Sequence, residues 1–339
     1  MASILDTFNE LIKLEPVNKG FQNQIYAYHP ILDLFQKGKA MLTVDGGDYI
    51  RVGLDYGEIT GVHWSGIGQV FDPTSVGYIG DGSTAEVLGH ATYEWSFYNS
   101  KIRIPYRQWI LIEKGIYTVE EYAKMLLDKA AKGVSANFEK ILFTDYKKLV
   151  KADGTEDTDN NHLAYGLLEI ILDSGTLAGV IPGDDTWWKS PVYSYDADKS
   201  LTEQMFTIVS TLTYKWGKPT IIITTPTVYN KYCIEAYNKS GFMTKSEVAT
   251  KLGFQTGAEF DGIPVVFTDA VGTYLLPEGT MLFINTDYLK FVLNPNAKFK
   301  ISPFKQVSTY NYDYIAMLDV TYSLICDNRQ PHAKLSSIT

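Results

Sequence analysis

The stretch from Thr118 to Asp145, TVEEYAKMLLDKAAKGVSANFEKILFTD, constrains the rest of the chain, because its apolar residues keep helical spacing longer than any other segment. Val119, Tyr122, Ala123, Leu126, Leu127, Ala130, Val134, Phe138, Ile141 and Leu142 recur three or four apart, which places them on one stripe. Thr118 can accept a hydrogen bond from the Glu121 amide while the Glu121 carboxylate reaches back to the Thr118 amide, so the start reads as a capping box. Gly133 weakens the middle by roughly 1 kcal/mol relative to alanine. At about 1.5 Å per residue the predicted helix is a rod of roughly 40 Å. A rod with a single apolar stripe needs a sheet or other helices laid along it.

The rest of the chain can supply that partner. With 339 residues, 45% hydrophobic and 20% charged, it fits a soluble globular protein of two domains or one elaborated domain. A net charge of −9 argues against a surface that grips nucleic acid by neutralising phosphates. Cys233 and Cys326 stand far apart with no CxxC or Cys/His spacing, so reduced, packed thiols made in a cytosol are expected, not a disulfide framework or a zinc site. Met1 to Glu10 lacks a basic start followed by an apolar run, and no uncharged apolar stretch approaches 18 residues. Neither a signal peptide nor a membrane span is expected.

In order, residues 1–42 mix a short amphipathic piece (Ile4, Leu5, Phe8, Leu11, Ile12) with Pro16 and Gly20, and read as an N-terminal arm that packs on something else. Residues 43–105 turn to glycine and aromatics with period-two runs: Ile50, Val52, Leu54 against Tyr49, Arg51, Gly53, then Thr92 to Tyr98 and Lys101 to Ile104. With turn signals at Asp45-Gly46-Gly47, Asp72-Pro73 and Gly80-Asp81-Gly82, this reads as a long two-stranded excursion with a loose tip. A lone hairpin is marginal in water, so it is expected to lie on a neighbouring surface, such as another subunit's. Leu201 to Trp216 is a second helix ended by Gly217 and Pro219, Ile221 to Thr225 a buried strand, and about Thr227 to Asn238 a third helix. Phe260 to Phe267 and Met281 to Leu289 read as two strands covered on both faces, completing an α/β unit over about 201–304. Tyr312 to Cys326 reads as one long strand, with Tyr312, Tyr314, Ala316, Leu318, Val320, Tyr322 and Leu324 on one face.

Sites of chemistry are weakly signalled. His29, His63, His90, His162 and His332 are scattered singly, without HExxH or HxH. The acids of Lys151 to Asn161 lack the ligand order of a calcium loop and read as a solvated loop. Gly66-Ile67-Gly68 lacks the third glycine of a dinucleotide site. Asp184 and Asp185 beside Trp187 and Trp188 could serve a glycan-hydrolysing or glycan-binding protein as paired carboxylates with a stacking platform, but adjacent acids seldom converge on one bond. The expectation is therefore no catalytic residue, no cofactor-binding residue and no metal ligand.

The order of the pieces carries a resemblance: an excursion ending in AxYEWxFY, the long helix, GLLEIILDSGTLAGV with TWWKSPV, then IIITTPTVYNKY, FDGIPVVFTD, GTMLFINTDYL and a final strand closing in CDNRQPHAKLSSI. The most telling are the GL…GT…G…WW run at Gly166 to Trp188 and the combination of FDGIPVV with NRQPHAKL. From about Thr43 to the end the chain resembles the major capsid proteins of tailed double-stranded-DNA bacteriophages, which have the Hong Kong 97 fold. The resemblance implies an α+β fold with an N-terminal arm (1–42), an extended β loop (43–105), a peripheral domain (106–200 and 305–339) whose spine helix is 118–145, and an axial α/β domain (201–304). It implies a non-enzymatic subunit that self-assembles into hexamers and pentamers of an icosahedral shell around double-stranded DNA, in a virion assembled in the bacterial host cytoplasm. Copies of itself, a portal and decoration proteins are the implied partners; with the arm starting at Met1, scaffolding is a separate protein or has already been cleaved. An encapsulin-like cellular shell protein is the alternative within the same fold.

Overall fold

The computed structural model describes residues 35, 40–55, 88–113, 119–143, 165–181, 187–240, 258–268, 270–272, 275–306 and 313–338. In chain order the described elements are strands β1 (Met41–Thr43), β2 (Tyr49–Asp55), β3 (Leu88–Glu94) and β4 (Ser96–Ile104); helices α1 (Tyr106–Glu113), α2 (Val119–Phe143) and α3 (Leu167–Ile170); strand β5 (Val192–Ser194), helix α4 (Leu201–Trp216), strand β6 (Ile221–Thr224) and helix α5 (Pro226–Ser240). Strands β7 (Ala258–Phe260), β8 (Ile263–Phe267), β9 (Met281–Ile284), β10 (Leu289–Leu293), β11 (Lys300–Ile301), β12 (Lys305–Gln306), β13 (Tyr314–Cys326) and β14 (Ala333–Ser336) follow.

The long helix and the long strand meet as their lengths predict. β13 is the axis of a six-stranded sheet. One of its edges takes β10, β11 and β12 in succession, all antiparallel, and the other takes β4 over Tyr314 to Tyr322. β1 adds in parallel outside β10. α2 lies on this sheet through its apolar stripe: Tyr122, Ala123, Leu127, Val134, Phe138 and Leu142 are buried, together with Ala131. Phe138 anchors it, with ring centroids 4.9 Å from Tyr98, 5.3 Å from Tyr322 and 5.7 Å from Phe299. The capping residue Thr118 lies outside the described residues. Along β13 burial alternates up to Val320 and is then continuous to Cys326, because the second half of the strand is covered on both faces; Tyr312 is outside the described residues.

Gly133 sits exposed in α2, and a Cβ built there meets nothing within 4 Å. Gly133→Ala is therefore expected to stabilise the subunit by about 0.5–1 kcal/mol through the restricted unfolded chain and better helix propensity. A rise in the urea midpoint with unchanged slope checks this, and a fall would mean that α2 needs the glycine for a bend.

Of the residues expected to form the excursion, 49–55 and 88–94 form a ribbon, while the run from Ser96 to Ile104 is instead a strand of the first sheet, paired with β13. β2 and β3 form an antiparallel ribbon in register from Tyr49 opposite Glu94 to Asp55 opposite Leu88. Ile50 and Leu54 are buried while Tyr49, Arg51 and Gly53 are exposed, as the alternation predicts. β3 passes into β4 through Trp95 alone, whose indole N–H donates to the Gly47 carbonyl at 3.0 Å. The ribbon is thus rooted directly in the edge of the first sheet. Its tip, 56–87, lies outside the described residues, as does the arm up to Ala40 apart from the buried Phe35.

A second six-stranded sheet has the order β5-β14-β9-β6-β8-β7. Its strands are apolar on both faces because both are covered. Ile221, Ile223, Val266, Leu282 and Ile284 face the core shared with the first sheet and α2. Ile222, Val265, Met281, Phe283 and Leu335 face α4 and α5, whose Met205, Ile208, Val209, Leu212, Val228 and Tyr232 complete that core. α4 starts in a capping box between Ser200 and Glu203 and ends at Gly217, whose φ of 99° suits glycine.

Two sequence expectations change here. Met281 to Leu289 is not one strand: β9 ends at Ile284, and Asn285 makes a turn in which its Oδ1 accepts from the Asp287 amide at 3.1 Å, sending β10 into the first sheet. Phe260 to Phe267 is likewise not one strand but the end of β7, a turn at Asp261 (φ 49°) and Gly262 (φ 76°), and β8. The sheets also cut across the 201–304 boundary. β5 and β14, from outside it, complete the second sheet, while β10 and β11, from inside it, join the first.

Candidate functional site

The residues that looked most like chemistry are structural where they are described. Trp188 is fully buried, with its indole N–H donating to the Leu177 carbonyl at 3.3 Å, and Trp187 packs against it edge-on with centroids 5.3 Å apart. A ring without exposed surface cannot stack on a sugar, which removes Trp188 from a glycan platform and leaves only the partly exposed Trp187. Asp184, Asp185, His29, His63, His162, Gly66 to Gly68 and the acidic loop at 151–161 lie outside the described residues. His90 is exposed on β3, Cys233 is a half-buried free thiol, and Cys326 is a buried one. Among the described residues no three metal-binding side chains cluster, and no helix is long and apolar enough to cross a membrane.

What the fold does assemble is a polar hub where the two sheets meet, built around Arg329. Its side chain is fully buried, yet each donor has a carbonyl: Nε donates to Ile170 at 2.8 Å, Nη1 to Trp188 at 3.1 Å and Gly175 at 3.4 Å, and Nη2 to Leu172 at 2.9 Å and Glu169 at 3.1 Å. Five acceptors for five N–H groups is the full capacity of a guanidinium. The Arg329 carbonyl in turn accepts from the Ser190 hydroxyl at 2.6 Å. One residue just beyond β13 thereby gathers α3, the turn after it and the Trp187-Trp188 segment.

Neighbouring groups extend the hub. The Asn285 amide donates to His332 Nδ1 at 3.2 Å, which leaves the ring proton on Nε2, 3.7 Å from the Cys326 sulfur. Burial, helped by the Arg329 charge, pushes the His332 pKa down to about 3, so the ring is neutral. Burial pushes the Cys326 thiol up to about 12, which makes it a packing group and not a nucleophile. The Tyr93 hydroxyl donates to the Cys326 carbonyl at 2.9 Å and accepts from its amide at 3.2 Å, tying the root of the β2–β3 ribbon to the same point. Sequence reading singled out both the Gly166–Trp188 run and NRQPHAKL without the reason that joins them, which is this arginine.

A second lock closes the far end of the first sheet. Asp313 Oδ1 accepts from the Tyr106 amide at 3.0 Å, at the start of α1, and Oδ2 accepts from Arg103 Nε at 2.7 Å. The Tyr106 amide, with Arg103, holds the Asp313 carboxyl below the usual carboxylate range. Its stabilising contribution is therefore present above the unfolded-chain pKa of about 3.9 and is lost as pH falls through the lower folded value. Asp313→Asn is expected to lower stability near neutral pH and to flatten the acid limb below about pH 4, read from unfolding midpoints followed by circular dichroism. Parallel acid limbs for the two proteins would remove Asp313 from the account.

No protein-family model matches the chain, and no curated protein matches it by sequence. Solved structures match in fold. A chain of the cyanophage A-1(L) capsid asymmetric unit superposes with a TM-score of 0.59 at 14% identity, covering 91% of this chain and 93% of that one. A chain of the satellite phage P4 procapsid gives 0.54 at 13%, covering 98% and 96%. A chain of the holo-SrpI encapsulin complex from Synechococcus elongatus PCC 7942 gives 0.51 at 12%, covering 89% and 87%. The mixed helix-and-sheet fold of this chain is the fold of phage capsid proteins, shared with encapsulins.

Proposed function

We propose that the chain is the major capsid protein of a tailed double-stranded-DNA bacteriophage, a non-enzymatic subunit whose copies form the hexamers and pentamers of an icosahedral shell. The observation that carries this reading is the capsid-protein fold, whose alignment covers 98% of this chain and 96% of the phage P4 procapsid chain. In Hong Kong 97 terms α2 is the spine of a peripheral domain spanning 106–200 and 305–339. The β2–β3 ribbon is the base of an extended loop over 43–105, residues 1–42 are the arm, and 201–304 is the axial domain, its sheet completed by β5 and β14. Loop and arm add intersubunit area beyond the roughly 1,600 Å² of a standard interface. The genome is enclosed by the shell and not bound site by site, which a net charge of −9 permits. A separate scaffolding protein, a portal and decoration proteins complete the assembly, made in the host cytoplasm and carried in the virion.

The second reading is an encapsulin-like cellular compartment, favoured by the shared fold with the Synechococcus elongatus encapsulin complex. Expression of the chain alone and with its neighbouring genes, viewed by negative-stain electron microscopy, tests both. Closed particles or capsomer rings are expected, with packaged DNA supporting the phage reading and an enzyme cargo the compartment. A clean monomer even in the presence of its scaffold would overturn the shell reading.

A further inference from the structure

A cleft of about 370 Å³ opens between the C-terminal half of α4 and β5, lined by Asp173, Lys189, Val192, Tyr193, Lys215 and Gln330 among others. Three observations set it apart from a surface dimple. First, β5 ends the second sheet and pairs, among the described residues, only with β14. The Lys334 amide donates to the Pro191 carbonyl and the Tyr195 amide to Ser336, so residues 191, 193 and 195 face β14 and the backbone groups of Val192 and Ser194 face outward. Second, Lys189 and Lys215 are exposed, and among the described residues neither makes an ion pair or a hydrogen bond. Asp173 is the one carboxylate in the lining, so with two lysines against it the lining is net positive. Third, the Tyr193 hydroxyl has no partner among the described residues, and burial raises its pKa. An open strand edge, two free ammonium groups and an unmatched hydroxyl converge on one groove of ligand-binding size.

We propose that this groove is a self-docking site: a second copy of the chain lays an extended segment along the free edge of β5 and sets carboxylates against Lys189 and Lys215. Strand addition supplies the backbone hydrogen bonds that Val192 and Ser194 lack, and the lysines select an acidic sequence. The chain itself is the matching source of that chemistry, since its 39 acidic residues outnumber its 30 basic ones. A positive groove on an acidic molecule attracts the molecule's own copies. The inference rests on the shell reading for the crowding of copies, but its geometry is independent of how they close.

The test mixes chain grown on ordinary nitrogen with chain grown on nitrogen-15 and applies a zero-length carbodiimide crosslinker, with linked peptides read by mass spectrometry. Light–heavy amide links from Lys189 or Lys215 to an Asp or Glu are expected, along with loss of closed particles in K189E/K215E and their retention in K189R/K215R. Circular dichroism and the thermal midpoint of K189E/K215E should match the wild type, because both side chains are exposed. Absence of light–heavy links from both lysines, or normal particles from K189E/K215E, overturns the proposal and leaves the lysines as guards against unwanted edge pairing. Wild-type chain that forms no particles yet yields the light–heavy links would sink the shell reading while supporting the groove.

Discussion

Arg329→Ala is expected to cost the subunit at least about 4 kcal/mol and to sharply reduce the yield of soluble chain. The substitution leaves the carbonyls of Glu169, Gly175 and Trp188 without the donor that now satisfies them, and leaves Ile170 and Leu172 with Ser190 alone, through its hydroxyl at 3.3 Å and its amide at 2.9 Å. Each buried acceptor left unmatched costs about 1–3 kcal/mol, reduced where water can enter or the backbone relaxes. Against a total stability of about 5–15 kcal/mol, even a relaxed sum is a large fraction. Arg329→Lys separates charge from geometry, because an ammonium has three donors on a point centre where five carbonyls surround a fork. It is expected to fall between the wild type and alanine in guanidinium-induced unfolding. Indistinguishable midpoints for wild type and Arg329→Ala would mean that the hub is not what couples the two sheets.

That hub also marks the limit of what the residues announce in linear form. The Thr118–Asp145 stripe was legible because a helix repeats its contact face every three or four residues, and the buried members of α2 match it. β13 was legible for the same reason at period two, and α4 because its stripe is bounded by Gly217 and Pro219. Arg329 was not, since an arginine in sequence reads as a surface residue and nothing local says that five carbonyls from 169–188 will converge on it. The break at Asn285 was hidden too: an apolar run looks continuous, while the side-chain turn that ends it competes with the ladder only once β14 and His332 are in place. Trp187 and Trp188 were ambiguous in the other direction, because aromatic pairs look alike in sequence whether they stack on a ligand or fill a core.

Removing the tip of the ribbon is expected to separate folding from assembly. Residues 56–87 lie between β2 and β3, and the ribbon's own buried residues, Ile50, Leu54, Ala91 and Tyr93, belong to the core below them. A deletion that stops at Thr84 to Val87 and reconnects Asp55 to Leu88 with a short Asn-Gly turn preserves every described pair of the register; one reaching Gly89 would cut into β3. The thermal midpoint of the deleted chain should stay within a few degrees of the wild type, since Tyr93 still bonds Cys326 and Trp95 still bonds Gly47. Particle formation should be lost, because the Gly-rich composition of 56–87 gives that segment no core of its own and its expected contact area is on a neighbour. Sedimentation velocity distinguishes the outcomes. A folded monomer or small oligomer in place of particles places the excursion between subunits, whereas wild-type particles would show that shell closure draws its area from other surfaces.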